Sequence, residues 1–138
     1  MPLPNAALRT LLVRDFMATS LVTFKPELPI TEAVSILVEN QYSGAPVVDA
    51  QGKLIGMLTE KDCLRAVVMA GSDGAEGVVR DYMSTGVDTV EPDTSLLDVA
   101  EGFMQAPFKR YPVTENGKVV GQISRFDVLR AVDRLLHG

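Results

Sequence analysis

With 138 residues, 46% of them apolar and 22% charged, the chain has an ordinary globular composition and can bury a core as one compact domain or two very small ones. A formal net charge of -5 and a pI near 4.8 exclude a nucleic-acid binder that works by phosphate neutralisation, because the general field repels a polyanion; a small anion meeting a local basic pocket stays open. The lone Cys63 rules out an internal disulfide, Met1–Asn5 lacks the basic and apolar runs of a secretory signal, and no apolar segment can span a bilayer, so a cytoplasmic location is expected.

Taken in order, Ala6 to Met17 has helical spacing in Leu8, Leu11, Leu12 and Phe16. Leu21–Phe24 is a short strand-prone run closed by Pro26 and Pro29. Ile30–Asn40 puts Ile30, Ala33, Val34 and Leu37 on one face and predicts an amphipathic helix. Ala45–Asp49 and Lys53–Leu58 flank a glycine turn and predict a hairpin, after which Thr59 opens a second helix carrying Leu64, Val67 and Val68. Val78–Met83 is a shorter counterpart of the lead-in. From Val87 to Leu136 the β-α-β-β-α order returns.

The return is an internal repeat. At a shift of 66, Val13-Arg14-Asp15-Phe16-Met17 falls on Val79-Arg80-Asp81-Tyr82-Met83, and Pro46-Val47 on Pro112-Val113. Past the Asp49-Ala50-Gln51-Gly52 turn the shift becomes 65, as an insertion in a hairpin tip produces. Two copies of one supersecondary unit follow. The expected division is a helical lead-in at 1–12, a first repeat at 13–71, a linker at 72–78 and a second repeat at 79–138.

Each copy carries the same strand-to-helix stretch, Gly52-Lys53-Leu54-Ile55-Gly56-Met57-Leu58-Thr59-Glu60-Lys61-Asp62 and Gly117-Lys118-Val119-Val120-Gly121-Gln122-Ile123-Ser124-Arg125-Phe126-Asp127. A strand ending directly in a helix aims that helix's free N–H groups and positive dipole end at the space beyond, which suits an anion. Thr59 or Ser124 can then cap those donors or bond a phosphate oxygen, and Asp62 or Asp127, one turn on, can accept from both hydroxyls of a ribose. Gly56 and Gly121 permit a close backbone approach. The same Ser/Thr-x-x-Asp spacing is also a capping-box pattern that helix initiation alone explains.

Charge is uneven. From Asp73 to Glu101 there are eight acids and one base, Arg80, against six bases and three acids from Lys109 to Gly138. Lys109 and Arg110, together at a strand entrance, are the best phosphate candidates, and Arg125 follows Ser124 directly. Arg130 and Arg134 are spaced like a solvent-facing stripe. Enzymatic readings find little support: His137 is the one histidine, at a helix C-terminus; Cys63 reads as a buried small apolar residue; Ser72-Asp73-Gly74 lacks the alternating carboxylates of a calcium loop; and zinc, P-loop and Rossmann patterns are missing.

The paired Val-Arg-Asp-x-Met segments, Ser43-Gly44-Ala45-Pro46-Val47-Val48-Asp49 with Lys109-Arg110-Tyr111-Pro112-Val113-Thr114-Glu115, and the two Gly-x-[Leu/Val]-[Ile/Val]-Gly-x-[Leu/Ile]-[Thr/Ser]-x-x-Asp stretches make the chain resemble a tandem cystathionine-β-synthase (CBS) domain pair, or Bateman module, from about Val13 to Val132. The resemblance implies an α+β, sandwich-like fold of two β-α-β-β-α repeats about a pseudo-two-fold axis. It implies a non-catalytic regulatory module holding an adenosine-containing ligand between the repeats: AMP, ADP, ATP, or a relative such as S-adenosylmethionine or NAD. No other cofactor and no metal is implied. One site would combine Gln122, Ser124 and Asp127 with Val22, Tyr42, Ser43 and Ala45; the other would combine Met57, Thr59 and Asp62 with Asp88, Phe108, Lys109 and Tyr111. Tyr42 and Phe108 either pack on an adenine or close a helix end. Asp88, where an apolar residue is usual, either accepts from an adenine amino group or repels phosphate. With Ser43-Gly44 matched against Lys109-Arg110, the two sites are expected to differ. A homodimer is implied, and a ligand-free dimerisation scaffold is the alternative. Partners are a small adenosyl ligand and an effector protein, with neither nucleic acid nor membrane. Beginning at Met1 and ending with the second repeat's last helix, the chain is expected to lack a fused effector, unless it is a fragment.

Overall fold

Ile30–Asn40 forms helix α1, burying Ile30, Ala33 and Leu37, and closes on Gln41 in the left-handed region at φ 56°. The computed structural model describes residues 5–72 and 74–138. The calcium-loop comparison at Ser72-Asp73-Gly74 and the first residues of the lead-in therefore fall partly outside the described residues.

After α1 come strand β1 (Gly44–Val48), strand β2 (Leu54–Thr59), helix α2 (Glu60–Val68) and the short helix α3 (Val79–Tyr82). The second copy supplies helix α4 (Leu96–Gln105), strand β3 (Arg110–Glu115), strand β4 (Lys118–Ser124) and helix α5 (Arg125–His137). β1 and β2 pair antiparallel, as do β3 and β4. The expected leading strands shrink to single parallel bridges, Phe24 with Val47 and Val90 with Val113, because Pro26 and Pro92 break the run. The helix expected over Ala6–Met17 is two 3-10 turns, Asn5–Thr10 and Val13–Asp15, interrupted where Leu12 bridges Ser95. The hairpin tips differ as the change of shift requires. Asn116-Gly117, both at positive φ, close β3–β4 in a two-residue turn, whereas Asp49 Oδ1 accepts from the amides of Gln51 and Lys53 to hold the longer β1–β2 tip.

The chain divides into two compact units, Val22–Val87 and Met1–Leu21 with Asp88–Gly138. Each lead-in thus belongs with the repeat that is not its sequence continuation. In the 22–87 unit, Phe24, Ile30, Ala33, Leu37, Val47, Leu58, Cys63, Ala66 and Val79 form the core. In the other unit Leu8, Val13 and Phe16 join Leu96, Val99, Phe103, Tyr111, Val113, Ile123, Val128 and Ala131. Cys63 is buried, as its reading as a small apolar residue predicts, whereas Leu64, Val67 and Val68 on the same helix are exposed. Burial, followed by the neighbouring Asp62 charge, pushes the Cys63 thiol pKa up. No helix among the described residues is long and apolar enough to cross a membrane.

Candidate functional site

β2 runs without a break into α2, so Thr59 is both the last strand residue and the helix N-cap. Its Oγ1 accepts from the Asp62 amide at 3.3 Å and donates to Asp62 Oδ2 at 3.0 Å, while its own amide donates to the same oxygen at 2.9 Å. The other carboxylate oxygen, Oδ1, accepts from Arg65 Nη2 at 3.0 Å and Ser84 Oγ at 3.3 Å. Asp62 is 3% exposed. Four donors fill the roughly four acceptor positions of a carboxylate.

β4 enters α5 in the same way with a different count. Ser124 Oγ accepts from the Asp127 amide at 3.1 Å, and the Ser124 amide donates to Asp127 Oδ2 at 2.8 Å. Oδ1 accepts from Arg130 Nη2 at 3.1 Å. Among the described residues the Ser124 hydroxyl proton has no acceptor and Asp127 has no third donor; its side chain is 17% exposed. Arg110 lies directly opposite Ser124 across the hairpin, on the same face, with its Nε buried and without a partner among the described residues. Arg125, exposed, occupies the first helical position.

Both helix starts are less open than the sequence suggests. The first amide of α2, Glu60, donates to the Ser43 carbonyl at 2.8 Å, and that of α5, Arg125, donates to Lys109 at 3.2 Å. With the third amide taken by the cap, the second-position amides of Lys61 and Phe126 are left. The close approach at the strand glycines is made by the protein's own lead-ins. A Cβ on Gly56 would meet Met83 Sδ at 2.7 Å and Ser84 O at 2.9 Å, and one on Gly121 would meet Met17 Sδ at 2.6 Å and Ala18 O at 3.0 Å.

The remaining candidates divide by unit. Val22, Tyr42, Ser43, Ala45 and Met57 lie in the unit that holds Asp62; Asp88, Phe108, Lys109, Tyr111 and Gln122 lie in the one that holds Asp127. Ala45 and Tyr111 are buried core members. Tyr111 stacks on Phe103 at 4.7 Å and meets Phe108 edge-on at 5.9 Å; burial, then the Asp88 charge, pushes its hydroxyl pKa up. Tyr42, Phe108, Lys109 and Asp88 are exposed. The backbones of Met57 and Gln122 bond reciprocally to Ser84 and Ala18.

Arg130 and Arg134 are exposed, as their spacing predicts, and both also engage the lead-in. Arg130 bridges Asp127 and the Phe16 carbonyl at 3.1 Å, and Arg134 lies 5.7 Å from the centre of the Phe16 ring. Arg65 does the same for Asp62 and the Tyr82 carbonyl at 2.8 Å. The signal was present in the sequence: an arginine three residues after the aspartate in both copies.

A family model for the CBS domain matches residues 13–69 and 79–134. CBS domain-containing protein YhcV of Bacillus subtilis is 33% identical over 116 residues, covering 84% of this chain and 81% of that protein. Uncharacterized protein MJ1225 of Methanocaldococcus jannaschii is 31% identical over 118 residues, 86% of this chain. This chain spans 41% of the length of MJ1225 and 14% of the A-adding tRNA nucleotidyltransferase of Aquifex aeolicus, which it also matches. Among solved structures, Arabidopsis thaliana CBSX2 in complex with AMP superposes with a TM-score of 0.81 at 29% identity, covering 91% of this chain and 98% of that one. The CBS domain pair of MJ0100 in complex with 5'-methylthioadenosine and S-adenosyl-L-methionine does so at 0.77 and 25% identity, with the same coverage. Matched in both copies of its repeat and in its α+β architecture, the chain belongs to the CBS-domain family.

Proposed function

We propose that this chain is a non-catalytic regulatory module of the cytoplasm that binds an adenosine-containing ligand and passes its occupancy to a separate effector protein. The ligand class is AMP, ADP, ATP or a relative such as S-adenosylmethionine or NAD. The observation that carries the reading is the group of side chains at the start of α5. Arg110 and Arg125 supply guanidinium donors suited to phosphate, the Ser124 hydroxyl supplies a further donor, and Asp127 keeps acceptor capacity for ribose hydroxyls. Solved relatives bound to AMP and to S-adenosyl-L-methionine support the same class. Occupancy becomes a signal only if the ligand binds one conformation more tightly than another. Isothermal titration of the purified, ligand-free chain with AMP, ADP, ATP, S-adenosylmethionine and NAD tests the reading: saturable binding of one or more, without turnover, is expected. No binding by folded protein to any of the five refutes it.

A second reading, a ligand-free dimerisation scaffold, draws on exposed apolar side chains: Leu64, Val67 and Val68 on α2, and Phe126, Leu129 and Leu136 on α5. Light scattering separates the readings when combined with the titration. A homodimer that binds none of the adenosyl compounds favours the scaffold; a homodimer that binds one is compatible with the sensor.

A further inference from the structure

Resting on the adenosyl-ligand reading above, we propose that each chain holds one such ligand, at the start of α5, and that the matching start of α2 is a closed structural copy locked by Thr59 and Ser84. The two helix starts descend from one repeated motif, so position-by-position differences are informative. At α2 the hydroxyl proton of Thr59 is spent on Asp62 Oδ2; at α5 the hydroxyl proton of Ser124 is uncommitted among the described residues. At α2 the carboxylate receives four donors and is almost wholly buried, so a ribose hydroxyl would have to displace one of them. At α5 it receives two and is more open.

Of the two extra donors at Asp62, the Thr59 hydroxyl and Ser84, the second has a specific source. Ser84, which bonds reciprocally to Met57, occupies the place that Ala18 holds beside Gln122 in the other unit. Alanine has no hydroxyl, so Asp127 escapes the bond that Asp62 accepts. Ser84, together with the Thr59 hydroxyl, therefore sets which carboxylate stays available.

Charge separates the copies in the same direction. The first helical residue is Glu60 in α2 and Arg125 in α5, and the residue opposite the cap is Gly44 in one and Arg110 in the other. A glutamate in the first turn suits the helix dipole and repels a phosphate. An arginine there opposes the dipole, and the buried unpaired Nε of Arg110 leaves a donor unmatched. Both cost stability in the apo chain, and both are relieved by one bound anion. Local rules broken together at one place mark a functional site.

The test is titration of the full chain with AMP, read by calorimetry and by amide chemical shifts. Expected are one AMP per chain, shift changes at Ser124–Asp127 with Thr59–Asp62 unmoved, and an affinity about tenfold or more weaker in a folded Asp127→Asn variant. Ser84→Ala leaves the α5 affinity unchanged. Two AMP per chain, shifts centred on Thr59–Asp62, or full affinity in Asp127→Asn overturn the single-site proposal while the adenosyl reading stands. No binding of AMP or any other adenosyl compound by the folded chain overturns both.

Discussion

Asp62→Ala and Asp127→Ala remove the same atom group from the same position of a repeated motif, yet the structure orders their costs differently. Asp62 accepts from the Thr59 amide, the Thr59 hydroxyl, Arg65 and Ser84, while Asp127 accepts from the Ser124 amide and Arg130. Loss of a capping residue costs about 1 kcal/mol. An inward-facing donor left unmatched adds about 1–3 kcal/mol. Arg65, Ser84 and Arg130 are exposed enough to regain water, so their bonds contribute little to the difference. What separates the sites is the paired use of Thr59 and the 3% exposure of Asp62. Both variants lose the capping contact and strand one amide, so Asp62→Ala is expected to cost about 1–3 kcal/mol more than Asp127→Ala, from the Thr59 hydroxyl left unmatched at the more buried site. Urea denaturation followed by circular dichroism reads this as a lower midpoint at unchanged slope. Equal losses, or a larger one for Asp127→Ala, would refute the bond accounting on which the difference between the sites rests.

Gly121→Ala drives a Cβ to 2.6 Å from Met17 Sδ and 3.0 Å from the Ala18 carbonyl, so a loss of about 1–3 kcal/mol is expected in the same urea assay. Arg130→Ala releases the Phe16 carbonyl and should raise hydrogen exchange at Val13–Met17 while costing about 1 kcal/mol. Arg125→Glu should gain about 0.3–1 kcal/mol from the helix dipole and lose AMP affinity, a split that a merely structural arginine would not give. The Cys63 pKa is raised by folding, so its contribution is fully present below the unfolded thiol value of about 8.5 and is lost as pH rises through the higher folded value. Cys63→Val, which installs the residue Val128 holds in the other copy, should therefore lessen the loss of stability between about pH 8 and pH 10, while the loss that the raised Tyr111 hydroxyl pKa adds above about pH 10 persists.

Periodicity reports well where one face of an element is buried along its whole length. Ile30–Asn40 was legible for that reason: Ile30, Ala33 and Leu37 recur at helical spacing and are buried in the order read. The hairpins were legible because Gly52 and Gly117 mark turns between apolar runs. Leu21–Phe24 and Ala6–Met17 carry the spacing of regular elements without forming them, because apolar spacing is also satisfied by a segment that lies across another element. Phe24 needs only one bridge to Val47, and Leu8, Val13 and Phe16 reach their core from two 3-10 turns. Contacts between residues far apart in the chain decide such segments, and local pattern carries no record of them. The exchange of lead-ins is the plainest case: Val13 bonds to Thr94 and Val79 to Leu28, pairings that no spacing rule contains.

For the site, the sequence named the carboxylates and caps but could not say what each was committed to. A Ser/Thr-x-x-Asp motif reads the same whether its oxygens are filled from within or open to a ligand. Part of the difference lies in Ser84 against Ala18, remote in sequence from the motif and visible only once a bridge brings Ser84 beside Met57. The rest lies in how the Thr59 hydroxyl is used and how deeply Asp62 is buried. A duplicated helix start keeps its cap in both copies because each helix needs one to begin. It has no such need of a cation at the first position, so that position is free to follow ligand binding or the dipole. Glu60 follows the dipole and Arg125 opposes it. On the single-site proposal, the residue that fits its local structure less well marks the helix start to test for a ligand.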